Sequence, residues 1–385
     1  MGNERGAIDV LATELDQRGF AVETLPLDDR IADDPLAGVP SAGYDGRADV
    51  IGRRGDGPGR SLMFNGHLDV VPADEPALWA SAPFAPARRA GWMTGRGTGD
   101  MKAGFAMGVL AVRALDAVAP DALAGPLTFL GVIEEECTGN GTLAAARAGV
   151  LADAVVLLEP TDLGVLLGGV GILWADIDIE GRAAHAESAD RAVNPIDVAL
   201  RLVPALRAFE RQLDADTDDP VFADVERPYN LNIGVLNAGD WPSSVPAVAR
   251  LRVRVGYPRD WTADDAERRL RAVIAAAGSA DDWLAAHPAT LRCSGFRALG
   301  YSLPDSDPLV RSLGDAHAEA HGARPPTFAL GSTTDARYYI NNFDRPALCY
   351  GPVARDIHGV DERVELDSIV RGARTLTRFM AGWWS

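Results

Sequence analysis

The chain has 385 residues, 47% of them hydrophobic and 24% charged, which describes a globular protein with room for two domains rather than a disordered one. A formal charge of −18 excludes a nucleic-acid binder, because phosphate is bound by a basic surface that releases counterions. No apolar run approaches the roughly 18 residues of a membrane span. The charged N-terminus lacks a signal-peptide core, and three widely spaced cysteines (Cys137, Cys293, Cys349) form neither a disulfide framework nor a thiolate zinc site. The reading is a soluble cytoplasmic protein with a small-molecule substrate and neither a nucleic-acid nor a membrane partner.

In chain order, Asp9–Gly19 reads as a helix closed by glycine. Ala103–Ala114 and Leu143–Ala152 also read as helices. Leu127–Ile133 and Ala154–Leu158 are continuously apolar, as strands covered on both faces by helices are. From Ile172 the pattern changes. Ala175, Ile177 and Ile179 alternate with Asp176, Asp178 and Glu180, and Leu251, Val253 and Val255 alternate with Arg252 and Arg254, marking strands with one wet face. Amphipathic helices are predicted over Pro195–Leu213, kinked at Pro204, and over Thr262–Ala277. A helix over Pro308–Gly322 and a buried strand over Pro346–Tyr350 follow. The expected fold is therefore α/β: a mixed-sheet catalytic domain flanked by helices (1–171 and 298–385), interrupted by an inserted α+β module of two helices on an antiparallel sheet (172–297).

Chemistry-bearing residues gather at strand ends and turns. His67 closes Phe64-Asn65-Gly66-His67, and Asp69, two residues on, can orient its ring. Taken alone, His-x-Asp more often marks an ordinary histidine at a strand end. The glycine-rich turn Gly95–Gly99 ends in Asp100 but fits no phosphate-loop spacing, so it either caps a helix or aims Asp100 at a cation. Glu134-Glu135-Glu136 and Glu159 stand at the carboxyl ends of consecutive buried strands, where adjacent acids repel unless a cation compensates them. His358 follows the last predicted strand. His317 and His321 are four apart without an HExxH motif and read as a solvated helix face. Two histidines and three carboxylates of one domain, with an aspartate shared, are an inventory that holds two zinc ions. No G-x-S-x-G elbow supports a serine hydrolase.

Six motifs in order, GHLDVVP, GRGTGDMK, EEECTGNGT, LEPT, AAHAES and HGVDERV, resemble the acetylornithine deacetylase, succinyl-diaminopimelate desuccinylase and glutamate carboxypeptidase family of dinuclear zinc hydrolases over nearly the whole chain. The resemblance implies two Zn²⁺, with Co²⁺ or Mn²⁺ as substitutes. One is held by His67, Asp100 and Glu159, the other by Asp100, Glu136 and His358. Asp69 would orient the ligand histidine and Glu135 would be the general base. The family's usual Asp-Glu-Glu gives that frame, supported by Gly141-Thr142; sliding by one would make Glu134 the base and Glu135 the ligand. The inserted module resembles a lid that mediates homodimerisation, with His185 reaching the neighbouring subunit's site. Arg254 resembles a lid arginine for a substrate carboxylate, and Ser332 and Thr333 lie in a substrate-side loop. Ser243 and Ser244 stand where the family often has an asparagine, which weakens transfer of the best-known members' substrates. The helix that usually precedes the first glycine-and-acid turn is not seen, so the first residue is expected to fall late in the family pattern. Glu159 in place of aspartate leans toward deacylases and carboxypeptidases. The expected reaction is deacylation of an N-acyl amino acid or a similar small amide, with a carboxypeptidase or dipeptidase as alternative and a non-catalytic metal binder as a further one.

Overall fold

A computed structural model describes residues 2–119 and 125–384. The apolar runs build a nine-stranded mixed sheet in the order Ala21–Pro26, Ala48–Arg54, Leu127–Val132, Leu62–His67, Ala154–Leu157, Ala347–Cys349, Val165–Gly169, Tyr301–Ser302, with Thr327–Leu330 also paired to Val165–Gly169. Four neighbouring strands, Leu127–Val132, Leu62–His67, Ala154–Leu157 and Ala347–Cys349, are parallel. Leu62 pairs with both Leu127 and Ala154, so these strands keep a common register and finish at one edge of the sheet. They are continuously apolar because both faces are covered. Helices Arg5–Asp16, Ala103–Val118, Pro308–His321 and Leu366–Trp383 bury one face, and Asn140–Arg147 and Ala336–Asn342 the other. Gly104 lets the Ala103–Val118 helix sit on the strand end: a Cβ there would lie 1.9 Å from the Leu158 carbonyl oxygen.

A second, four-stranded antiparallel sheet runs in the order Leu231–Ala238, Val248–Tyr257, Gly171–Glu180, Thr290–Ala298. Helices Pro195–Asp216 and Ala263–Ser279 cover one face, and Ala175, Ile177, Ile179, Leu251, Val253 and Val255 form with them a separate buried cluster. The opposite face carries the charged alternates as ion pairs: Arg250–Asp178 at 2.5 Å, Arg292–Asp178 at 2.9 Å and Arg252–Asp176 at 3.2 Å.

Several boundaries differ from the sequence expectation. The first helix is Arg5–Asp16, with Gly19 at positive φ beyond it. The predicted Leu143–Ala152 helix is Asn140–Arg147, because Gly149 (φ +83°) turns the chain. The Pro195–Asp216 helix continues through Pro204 as one element; that proline is exposed, and Leu200, whose carbonyl loses its donor, is 56% exposed. The amphipathic helix Leu366–Trp383 and the strands Ala21–Pro26 and Ala48–Arg54 were not anticipated. Among the described residues, no helix is long and apolar enough to cross a membrane.

His317 and His321 do not form the solvated face expected of them. His317 Nδ1 lies 3.0 Å from the Tyr350 hydroxyl, His321 Nε2 lies 3.0 Å from Thr375 Oγ1, and Tyr350 donates to the same Thr375. Together they join Pro308–His321 to Leu366–Trp383. Burial, then the nearby His321 and Arg371, push His317 down from 6.5 to about 4. A histidine whose pKa is depressed on folding binds fewer protons folded than unfolded between those values, so stability falls as pH drops through that window. Thermal denaturation from pH 6.5 to 4 will show the parent losing about 2 °C more than His317→Asn; parallel curves for the two proteins would refute the link.

Candidate metal centre

Three parallel strand ends and two loops deliver the predicted ligands to one place. His67 is the last residue of its strand and fully buried, its Nδ1 3.0 Å from the Asp69 carbonyl and 3.6 Å from Asp69 Oδ1. Its Nε2 lies 3.0 Å from Asp100 Oδ1 and 4.0 Å from Glu159 Oε2. Across Asp100, Oδ2 lies 3.3 Å from His358 Nε2, which is 3.0 Å from Glu136 Oε2. Two donor triads result, His67–Asp100–Glu159 and Asp100–Glu136–His358, each within 4.8 Å and both using Asp100.

The acidic triple divides its work. Glu134 (φ +68°) is paired at 2.8 Å with buried Arg47 and accepts from the Tyr44 and Thr138 hydroxyls. Glu136 meets His358, and Glu135 lines the adjoining cavity. Of the two frames considered from the sequence, the one with Glu136 beside His358 and Glu135 free matches this geometry. The Asp69 carboxylate accepts the backbone N–H groups of Glu135 (3.3 Å) and Glu136 (3.2 Å), so it braces both His67 and the acidic loop.

The support under Asp100 was not found from the sequence. Glu362, fully buried, accepts the backbone N–H groups of Gly99 (2.8 Å) and Asp100 (3.0 Å) through one oxygen and pairs with buried Arg96 through the other. Its only sequence signal was membership of HGVDERV.

Charge balance at the cluster calls for a cation. Burial, followed by Glu159 and Asp335, raises Glu135 well above the ordinary carboxylate range, and burial raises Glu136 and lifts Glu159 to about 8. Burial disfavours a charged His358, yet its hydrogen bonds to Asp100 and Glu136 raise it to about 10; His67 is likewise raised against its burial by Asp100 and Asp69. Glu159 Oε1 is buried without a hydrogen-bond partner among the described residues. Imidazole nitrogens and carboxylate oxygens are a donor set suited to zinc and its neighbours. These residues fit a divalent metal pair.

A cavity of about 500 Å³ opens beside the triads and is lined by Glu135, Arg254, Ser332 and Thr333, among others. Arg254, half-buried, donates to the Gly331 carbonyl (2.7 Å) and to Asn230; burial lowers it to about 10, which leaves it a cation at neutral pH. Thr333 Oγ1 is buried without a hydrogen-bond partner among the described residues. His185 is not brought to this cavity: it is exposed, its strand pairs with Ser244-Val245, and its Nδ1 accepts the Glu187 N–H. Trp174, Asn232 and Phe296 also line the wall and were not singled out from the sequence, although a tryptophan on the wet face of an alternating strand is a visible anomaly.

A profile of peptidase family M20/M25/M40 matches residues 63–382. The succinyl-diaminopimelate desuccinylase of Methylorubrum populi is 33% identical over 99% of this chain and 94% of its own length, and that of Methylocella silvestris is 32% identical over 95% and 90%. Among solved structures, the di-peptidase Dug1p of Saccharomyces cerevisiae superposes with a TM-score of 0.79 at 15% identity (97% and 89% of the two chains). Human carnosine dipeptidase 1 gives 0.76 at 16% identity (99% and 91%).

Replacing the Glu362 carboxylate by an amide leaves one acceptor oxygen where two serve the Asp100 turn and Arg96, and strips Arg96 of its counter-charge. In Glu362→Gln, divalent-metal affinity measured by titration falls about tenfold or more, and the thermal midpoint drops as well. Parent-like metal affinity would show that Glu362 does not position Asp100.

Proposed function

The chain belongs to peptidase family M20/M25/M40 and is a metal-dependent hydrolase; within that class we propose that it hydrolyses the amide bond of an N-acyl amino acid or a similar small carboxylate-bearing amide at a pair of zinc ions. Co²⁺ or Mn²⁺ would substitute. One observation carries this reading: two donor triads share Asp100 beside a cavity that also holds Glu135 and Arg254.

His67, Asp100 and Glu159 would hold one ion, and Asp100, Glu136 and His358 the other. Once bound, such a pair supplies Lewis-acid polarisation of the scissile carbonyl and a more acidic water. Glu135 has no ion-pair partner among the described residues, so its carboxylate is available to take the water's proton and return it to the departing amine. Asp69 holds the Glu135 and Glu136 backbone in place. The Arg254 fork suits a substrate carboxylate, since no carboxylate of the described residues pairs with it. Ser332 and Thr333 offer polar groups on the same wall.

His185, exposed and outside its own chain's cavity, is assigned to a neighbouring subunit's site, where a preorganised donor stabilises developing negative charge. That assignment implies a homodimer through the second sheet and its helices. A cytoplasmic location is supported by three unpaired cysteines. The desuccinylase relatives favour deacylation. Peptide hydrolysis by the same residues is the second reading, favoured by Arg254, because a dipeptide presents a carboxylate in the same relation to its scissile bond.

Glu135→Gln will lower kcat by about a thousandfold at unchanged metal content. Retained turnover would remove Glu135 from the chemistry. Arg254→Leu will raise KM about tenfold or more for carboxylate substrates, read by steady-state kinetics. A panel of acetyl-, formyl- and succinyl-amino acids and dipeptides separates deacylase from peptidase, and no turnover of any by the zinc-loaded enzyme would reject both.

A further inference from the structure

The four strands of the second sheet place a row of side chains across the cavity wall. Arg254 is directly opposite Asn232 on one side and Trp174 on the other. Directly opposed residues of antiparallel strands hold their side chains roughly 5 Å apart on one face. Phe296, from the next strand, meets Trp174 edge to face, with ring centroids 5.3 Å apart and planes at 87°. All four residues line the same cavity. The row therefore passes from amide to guanidinium to two aromatic rings.

The tryptophan is fixed rather than adaptable. Gly295 has φ +57°, and a Cβ there would come within 2.3 Å of the Trp174 ring, so the backbone itself packs on the indole. Leu330 and Ile357, 41% and 38% exposed, add apolar surface to the same cavity. Among the described lining residues, Arg254 is the single arginine or lysine, and the four lining carboxylates (Asp100, Glu135, Glu136, Glu159) all come from outside the second sheet. The sheet side thus offers one anion receptor beside a large apolar surface, with no second lysine or arginine for another carboxylate and no acid for a substrate ammonium.

We infer that the substrate is an N-acyl derivative of an aromatic or large aliphatic amino acid, with its carboxylate on Arg254 and Asn232 and its side chain against Trp174 and Phe296. This rests on the amide-hydrolase reading above and narrows it away from succinylated diamino acids, which carry several carboxylates and an ammonium. Trp174 is thereby a specificity-determining residue.

Two measurements test this separately from the reading it rests on. Calorimetric binding to zinc-loaded Glu135→Gln will favour N-acetylphenylalanine over N-acetylornithine and N-succinyl-diaminopimelate by about tenfold or more. Turnover by the zinc-loaded parent will follow the same order in kcat/KM. In Trp174→Ala the preference collapses toward unity, and in Trp174→Phe most of the preference is retained. Equal or reversed binding preference, or a preference that survives Trp174→Ala, overturns the inference. Selective binding without turnover of any amide leaves the recognition by Arg254 and Trp174 standing and overturns the amide-hydrolase reading. Should Trp174→Ala fail to fold, the binding order and Trp174→Phe still decide the question.

Discussion

One carboxylate, Asp100, lies between two imidazoles, and the architecture around it converges on that sharing. Its two oxygens face His67 at 3.0 Å and His358 at 3.3 Å, residues 291 positions apart in sequence (358 − 67). A shared anion tolerates little displacement, because moving toward one histidine takes it from the other. The structure answers with backbone restraint. Glu362 fixes the Gly99 and Asp100 amides, Arg96 balances Glu362, and Gly104 lets the following helix press onto the Leu158 carbonyl just before Glu159. A buried pair such as Arg96–Glu362 is weak evidence of stabilisation, since desolvation offsets much of the attraction. Here its visible consequence is geometric.

The cluster is also electrostatically unfavourable by itself, which is expected at a functional site and not in a structural core. Burial and mutual repulsion raise Glu135, Glu136 and Glu159 together. Arginines behind the site offset three of the acids that are not ligand candidates: Arg47 contacts Glu4 and Glu134, and Arg337 lies 3.1 Å from fully buried Asp335. The charge left unbalanced is concentrated on the residues of the two triads and on Glu135. Among the described buried acids, Glu4, Glu134, Glu362 and Asp335 are thus separated from the triad carboxylates and Glu135 by an arginine partner, while Asp49 and Asp69 are held by backbone N–H groups instead.

That separation explains what was legible in the sequence. Strands covered on both faces are continuously apolar, so an acid or histidine at their ends is conspicuous, and His67, Glu134–Glu136 and Glu159 could be found from local pattern. The antiparallel sheet was legible through alternation at 175–179 and 251–255. Glu362 was not, because its burial is made by Gly99, Asp100 and Arg96, more than 260 residues away, and a polar loop looks the same whether it faces water or another loop. His317 and His321 were misread for the same reason. Their partners Tyr350 and Thr375 sit on other elements. The Leu366–Trp383 helix did carry a local signal, with Ala373, Leu376, Phe379, Met380 and Trp383 falling on one face.

The second sheet's wet face shows how recognition is kept apart from chemistry. Along it, Arg250 and Arg252 are closed on Asp178 and Asp176, and such half-exposed pairs contribute little to stability. The next alternate on the same strand, Arg254, breaks the series: its cross-strand neighbours are Asn232 and Trp174, neither able to neutralise it. Continuing the ladder would have required only an acid at position 174 or 232. A guanidinium kept half-buried, held by the Gly331 carbonyl and Asn230, and left without a carboxylate among the described residues is placed to receive the substrate anion proposed above. Because that anion receptor and the aromatic surface belong to one sheet and the metal-ligand candidates to the other, substitutions at positions 174, 232 and 296 alter which amide is accepted without touching the groups placed to break it.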